Sequence, residues 1–390
     1  MRPGGAVATS VAPTERGSAA TPLPRNGGID ALRGVSILLV VLHHIALRIP
    51  LRDTGLGDWL PRRLLDALSY NGYEAVFVFF TISGFLIASH SLARWGALSR
   101  IDLRGFYVRR FARIAPCLLL LLAVLSALHL AGVADYVIDK PTQSLGGALL
   151  SALGLYLNWY EGMTGWLPGG WDVLWSLSIE ETFYLGFPLL CLCVRSRAVL
   201  VALLLALALS LPFTHAALDG NEIWQEKAYL PGMAAIAAGV LAAIALHRRM
   251  PTLREANALC AYGAVGLFAV FGEGRALWQS LQDGTLLVLS SAAAALVAGL
   301  HARHAHGVAR PGYALAWLRA LGRLSYEIYL THMFVVFAVV GAFRANGGDV
   351  RGGAWWYLLA VPACWLLGAA VARLYSEPVD RALRRRWLKG

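Results

Sequence analysis

From Asp30 onward the chain alternates long apolar stretches with short polar or basic connections. The apolar stretches approach the ~20 residues that a helix needs to cross a bilayer. Ten are read as spans, at 32–49, 73–91, 115–133, 172–194, 198–214, 229–247, 257–272, 284–300, 320–343 and 354–374. The pattern predicts an all-α polytopic membrane protein of about ten transmembrane helices. The stretch 144–160 is also apolar, but counting it as a span would throw the later basic clusters to the other side. It is read as a re-entrant or interfacial helix. Residues 1–28, rich in Gly, Ala, Pro, Ser and Thr, have no apolar run and so read as a disordered tail rather than a signal peptide. The first apolar helix then acts as an uncleaved anchor, 29–377 is the membrane domain, and 378–390 is a basic tail.

Composition narrows the class. The chain is 58% hydrophobic and only 15% charged, too apolar for one water-soluble core, since a soluble domain is about 25% charged. The net charge of +11 suggests nucleic acid at first sight. The basic residues, however, sit in short clusters between spans, as the positive-inside rule produces; no nucleic-acid partner is expected. Arg104–Arg113, Arg195/Arg197, His247–Arg249, Arg303–Arg310 and Arg381–Lys389 fall on one side with both termini, which makes that side cytoplasmic. The loop 48–72, with Arg48, Arg52, Arg62 and Arg63, dissents. The five cysteines form no CxxC and are odd in number, so they read as core residues and not as a metal site.

Ionisable groups inside apolar spans are costly and mark candidate sites. In the first span, Arg33 and His44 are eleven residues apart. At ~100° per residue that offset returns to within ~20° of one face, displaced ~16 Å along the axis, with His43 pointing ~80° away. The second span carries Ser83-Gly84-Phe85, either a close-packing site or a substrate contact. The segment after it holds Arg109, Arg110 and Arg113. Arg110 and Arg113 are i, i+3 neighbours, so the cluster is either topogenic or a phosphate site for a polyphosphate ligand such as a nucleotide or coenzyme A. The fourth span places Asp172, Ser176, Glu180 and Tyr184 on an i, i+4 stripe, with Glu181 adjacent. Adjacent carboxylates at membrane depth call for Arg or His partners. In the ninth span Ser325 and His332 share a face, and His332 is a second candidate base or a structural partner.

Taken in order, Asp30-Ala-Leu-Arg33-Gly through His44, Ser83-Gly84-Phe85, Arg109-Arg110 through Pro116, Trp175-Ser176 through Tyr184, and Leu321-Gly322 through His332 resemble the acyltransferase 3 family of bacterial membrane acyltransferases. The matching segments span nearly all of 29–377; one departure is Thr182, where the family usually has Gln. The resemblance implies a ten-helix domain in the bacterial inner membrane that takes an acyl group, commonly acetyl, from cytoplasmic acyl-CoA (acetyl-CoA). The acceptor is a hydroxyl on a cell-envelope carbohydrate, a lipid-linked sugar or a related molecule. Some relatives carry an added esterase-like domain, which is not expected within this chain. By resemblance, His44 is the catalytic histidine, Arg33 its motif partner, and Arg110 with Arg113 the acyl-CoA contact.

A thioester is already activated, so the expected chemistry needs no metal. His44 would take the proton of the acceptor hydroxyl as it attacks the thioester carbonyl, with Ser83 or Arg33 as donors to the oxyanion and Glu180 and His332 in support. A covalent acyl-histidine variant stays open. The competing class is a transporter or flippase of lipid-linked sugars using Asp, Glu and His as a proton relay. A glycosyltransferase using a polyprenyl-phosphate donor is a third reading. The sequence shows no repeated halves, as many transporters do, and the arginine cluster favours a fixed anionic ligand.

Overall fold

The computed structural model describes residues 25–308 and 312–388. Most of the expected tail 1–28, together with Arg310 and Lys389 of the basic clusters, lies outside the described residues. The long helices are α1 (Gly27–Ala46), α2 (Gly72–Trp95), α3 (Leu103–Leu130), α4 (Trp175–Cys193), α5 (Arg197–Leu209), α6 (Tyr229–Arg248), α7 (Leu253–Leu281), α8 (Gly284–Ala305), α9 (Ser325–Ala345), α10 (Ala354–Val371) and α11 (Glu377–Leu388). Among the described residues there is no β-strand, and eight helical stretches are long and apolar enough to cross a membrane. The protein is an all-α polytopic membrane protein.

Each of the ten predicted stretches is largely helical, but 320–343 is divided at Leu324 between Ala316–Arg323 and α9, and two others depart from a simple span. The stretch 172–194 is broken at its start: Gly169–Asp172 forms a separate turn, and α4 begins only at Trp175. The stretch 198–214 divides into α5 and a short helix Leu211–Ala216 that has Pro212 in its first turn. Proline has no N–H for the helical ladder and forces the interruption. The apolar segment 144–160 makes two short helices, Leu145–Leu153 and Leu157–Thr164. With 9 and 8 residues, neither approaches the length of a span. The expected tail 378–390 is helical as far as Leu388. A π-helical turn, Ala372–Ser376, joins α10 to α11, and α11 lies along α3, with Arg104 Nη2 donating to Trp387 O at 3.2 Å and the Phe111 and Trp387 rings 5.6 Å apart.

Lipid supplies no hydrophobic drive between helices, so close backbone approach has to hold them together. A Cβ on Gly34 would stand 2.0 Å from Leu318 O, and one on Gly322 would stand 1.8 Å from Asp30 O. These two glycines bring α1 against the short helix Ala316–Arg323. Likewise a Cβ on Gly84 would lie 1.9 Å from Ile236 O and one on Gly239 1.9 Å from Thr81 O, which locks α2 to α6. Helix α1 is enclosed by α2, α9 and Ala316–Arg323.

Polar links sort the loops into two ends. At one end Asn26 Nδ2 donates to Leu300 O at 3.1 Å, and His306 Nε2 is 2.8 Å from Pro251 O. At the other Asn71 Nδ2 donates to Phe271 O at 2.8 Å, and Arg63 pairs with Glu273 at 3.1 Å. Ser99 follows α2 at the first end, whereas Asp219 follows Leu211–Ala216 at the second; both are exposed. In a cysteine-free background, a membrane-impermeant thiol reagent applied to intact cells should label Asp219→Cys and spare Ser99→Cys. Equal labelling of the two would overturn this topology.

Candidate active site

A cleft of about 960 Å³ opens among α1, α2, α3, α4, α9 and α11. Along α2 its wall runs from Val76 to Trp95, about 29 Å at helical rise. Ten arginines and four carboxylates line it, and this excess of guanidinium groups suits a polyanionic ligand. Arg33, Ser83, Arg110, Arg113, Glu180 and Glu181 all face this one space. Helices α9 and α11 contribute wall residues that sequence reasoning did not single out, among them Tyr329, Arg381 and Arg384. The basic run 381–389 was visible in the sequence, but only as a tail; its placement depends on the π turn before it.

Ser83 sits at the deep part of this wall, and its place is set by its neighbour. Because Gly84 packs against the α6 backbone, Ser83 is turned away from that contact and toward α4. Its Oγ donates to Glu180 Oε1 and lies in hydrogen-bond contact with Tyr184 OH, which itself donates to Glu180 at 2.5 Å. The close-packing and site readings of Ser83-Gly84 therefore both hold, one for each residue. The expected Asp172–Ser176–Glu180–Tyr184 stripe loses its first member at the break before α4. Asp172 instead pairs with Lys227, whose Nζ also lies 2.7 Å from Glu161 Oε2 and 4.0 Å above the Trp166 ring. Lys227 and Glu161 are 1% and 0% exposed, a buried ion pair whose two members the sequence leaves in the connections between spans, Glu161 just past the uncounted apolar segment.

The arginines divide by what they hold. Arg113 is forked onto Glu327 at 2.8 and 3.3 Å, and Glu327, 1% exposed, also accepts from Ser376 Oγ at 3.0 Å. Arg110 instead lies with its Cζ 3.7 Å above the Tyr184 ring, leaving its N–H groups toward the cleft. Arg109 Nε is buried without a protein partner. Arg33 Nη2 donates to Ser325 Oγ at 2.8 Å, tying α1 to α9.

His44 and His332, the two candidate bases, are neighbours. Their ring centroids are 4.9 Å apart, and His332 Nε2 is 3.3 Å from His44 Nδ1. His44 Nδ1 is 2.8 Å from Val40 O, and His332 Nδ1 is 2.7 Å from Tyr329 O. A carbonyl only accepts, so in each neutral ring the proton sits on Nδ1. Both lone pairs are then on Nε2. That of His332 faces the Nδ1–H of His44; that of His44 meets no donor among the described residues. His332 is fully buried and His44 partly exposed, so His44 is the ring able to take a proton and His332 the ring that orients it. His43 turns aside: its Nδ1 is 3.2 Å from Ser69 O, and its ring fills the space that a Cβ on Gly72 would need.

An all-α membrane bundle enclosing an arginine-rich cleft, with a histidine pair beyond one wall, has the features of a membrane-embedded group transferase. The profile of the family described as "Acyltransferase domain" matches residues 26–373, and the chain belongs to that family. It is similar to the peptidoglycan O-acetyltransferase OatA of Listeria monocytogenes, 23% identical over 381 residues, which cover 90% of this chain and 55% of that protein. It is also similar to the O-acetyltransferase OatA of Staphylococcus aureus, 27% identical over 168 residues, 42% of this chain and 24% of that protein. The chain thus spans between a quarter and about half the length of these curated relatives. No solved structure matches the chain.

The arginine geometry separates two roles that the sequence merged. Arg110→Ala should weaken binding of a polyphosphate ligand, each lost charge-assisted contact costing about 1.5–3 kcal/mol. Arg113→Ala strands the buried Glu327 carboxylate, and breaking such a pair costs about 3–5 kcal/mol of stability. Thermal unfolding in detergent alongside calorimetric titration with coenzyme A checks both. Equal losses of affinity and no change in melting for the two variants would overturn the division.

Proposed function

We propose that the protein transfers an acetyl group from acetyl-CoA, bound from the cytoplasmic side, to a hydroxyl of a cell-envelope carbohydrate. The observation that carries this reading is the arginine-lined cleft, which extends inward to Ser176 and Tyr329, within ring contact of the His44–His332 pair. Family membership supports the transfer chemistry, and the names of the similar proteins support an O-linked acetyl product, peptidoglycan in one case. The basic end of the bundle supports a cytoplasmic donor side.

In this mechanism the nucleotide phosphates lie among Arg109, Arg110 and the arginines of α11, while the pantetheine arm runs along α2 toward Ser83. His44 Nε2 accepts the proton of the acceptor hydroxyl as its oxygen attacks the thioester carbonyl carbon. The C–S bond then breaks, and the thiolate leaves with the proton from His44. His332 holds the Nδ1 side of His44 throughout, and Arg33 with Ser325 fixes the register of α1 on α9. Chain length of the acyl group is set by the apolar wall of Val76, Phe79 and Phe80.

Mass spectrometry of envelope glycans from wild-type and deletion strains tests the reading directly. An acetyl-sized mass difference, restored by the wild-type gene, is expected; glycans of unchanged mass but altered export would favour the proton-relay transporter instead. His44→Ala should bind coenzyme A normally and lose about 10²–10⁴-fold in transfer rate, the usual worth of a general base. His43→Ala, which points elsewhere, should lose far less. Turnover near wild type in His44→Ala would remove it from the mechanism.

A further inference from the structure

The developing oxyanion needs a hydrogen-bond donor, and the structure narrows the choice. Ser83 has one proton, and it is directed to Glu180. Arg33 gives one of its N–H groups to Ser325 on α9 and keeps the others, so it stays available as a second donor. One turn beyond Ser325 on the same face stands Tyr329, which lines the cleft. Its phenol oxygen accepts from Ser176 Oγ at 2.8 Å, a closer acceptor for the single Ser176 proton than Val173 O at 3.4 Å. With that oxygen accepting, its own proton meets no acceptor among the described residues and remains free for a ligand in the cleft. The backbone of the same residue holds His332 Nδ1, and its ring lies 5.9 Å from the His332 ring.

We propose that Tyr329 is a catalytic residue that donates its phenol hydrogen to the thioester carbonyl oxygen, with Ser176 as the positioning residue that fixes the direction of that O–H. The inference rests on the acyl-transfer reading above. As the acceptor oxygen bonds to the carbonyl carbon and gives its proton to His44, the C=O π pair moves to oxygen and is held by the Tyr329 O–H. When the C=O re-forms, the C–S pair leaves on sulfur, which takes the proton from His44. Tyr329 keeps its proton throughout. One residue thus serves both reactants: Tyr329 lines the donor cleft, and its carbonyl sets the tautomer of the ring that orients the base. Removal of the hydroxyl leaves that carbonyl, and hence the histidine pair, in place.

Purified full-length protein assayed for thiol release from acetyl-CoA in the presence of acceptor decides the matter. Tyr329→Phe should lower kcat about 10²–10³-fold, the usual worth of one oxyanion donor, while KM for acetyl-CoA stays within about twofold. Ser176→Ala should show a smaller loss of the same kind. A ring-fluorinated tyrosine at position 329, nearly the size of the native side chain, covers the case in which Phe disturbs folding. Its phenol keeps the hydrogen-bond donor, so kcat at neutral pH should stay close to wild type, unlike that of Tyr329→Phe. Wild-type kcat in Tyr329→Phe, a loss expressed in KM alone, or a fluorinated protein as impaired as Tyr329→Phe would each overturn the assignment and leave acyl transfer standing. A wild-type protein that releases no thiol from acetyl-CoA would instead overturn acyl transfer, and this inference with it.

Discussion

Four missing side chains hold the bundle together. Where Gly34 meets Leu318, Gly322 meets Asp30, and Gly84 and Gly239 meet the backbones of α6 and α2, any Cβ would stand about as close as a covalent neighbour. In a hydrocarbon solvent, contact of this kind replaces the hydrophobic effect as the source of helix association. Its consequences reach the site directly. The α2–α6 contact orients Ser83 toward Glu180, and the contact of α1 with Ala316–Arg323 sets Arg33 opposite Ser325 at the start of α9. With that register fixed, the eleven-residue offset along α1 carries His44 to His332.

Charge inside the bundle is arranged in two ways. Where it braces the fold it is paired and almost wholly buried, as in Arg113 with Glu327 and in Lys227 with Glu161 and Asp172. Part of the charge lining the cleft is left short of partners, as with Arg109 Nε and Glu181 Oε1, both buried and unbonded. Unpaired buried charge is expensive in a membrane, and the two unbonded atoms of the cleft are ones that a ligand there would satisfy; Arg52 Nε and Glu74 Oε2, away from the cleft, are unbonded as well. The Ser83–Glu180–Tyr184 group is an intermediate case, satisfied internally but set in the cleft wall.

Much of this was legible in the sequence wherever it depended on one helix. The shared face of Arg33 and His44 follows from the helical repeat, and the apolar lengths yield the all-α membrane architecture. What depends on two helices was not legible. Nothing in the residue spacing says that Ser83 and Glu180 bond to each other, that His44 and His332 are one unit and not rivals, or that Glu327 captures the fork of Arg113. The stripe through Asp172 failed because periodicity assumes an unbroken helix, and the chain turns at Val173 and Leu174. A single cation before an apolar run, such as Lys227, looks like a flank; only folding buries it against Glu161.

The π turn at Ala372–Ser376 has a consequence for the cleft's rim. A π turn holds roughly one residue more than the α-helical turn it replaces, so it acts as a phase shift of about 100° between the helices on either side. Helix α11 follows it directly, and its Arg381 and Arg384 face the cleft only in that phase. Were the five residues wound as ordinary α-helix, the same arginines would be carried a quarter-turn or so around the axis, toward lipid headgroups or water. The identity of the charges at the mouth is therefore written in α11, but their aim is written five residues earlier, in a turn that contains only one arginine.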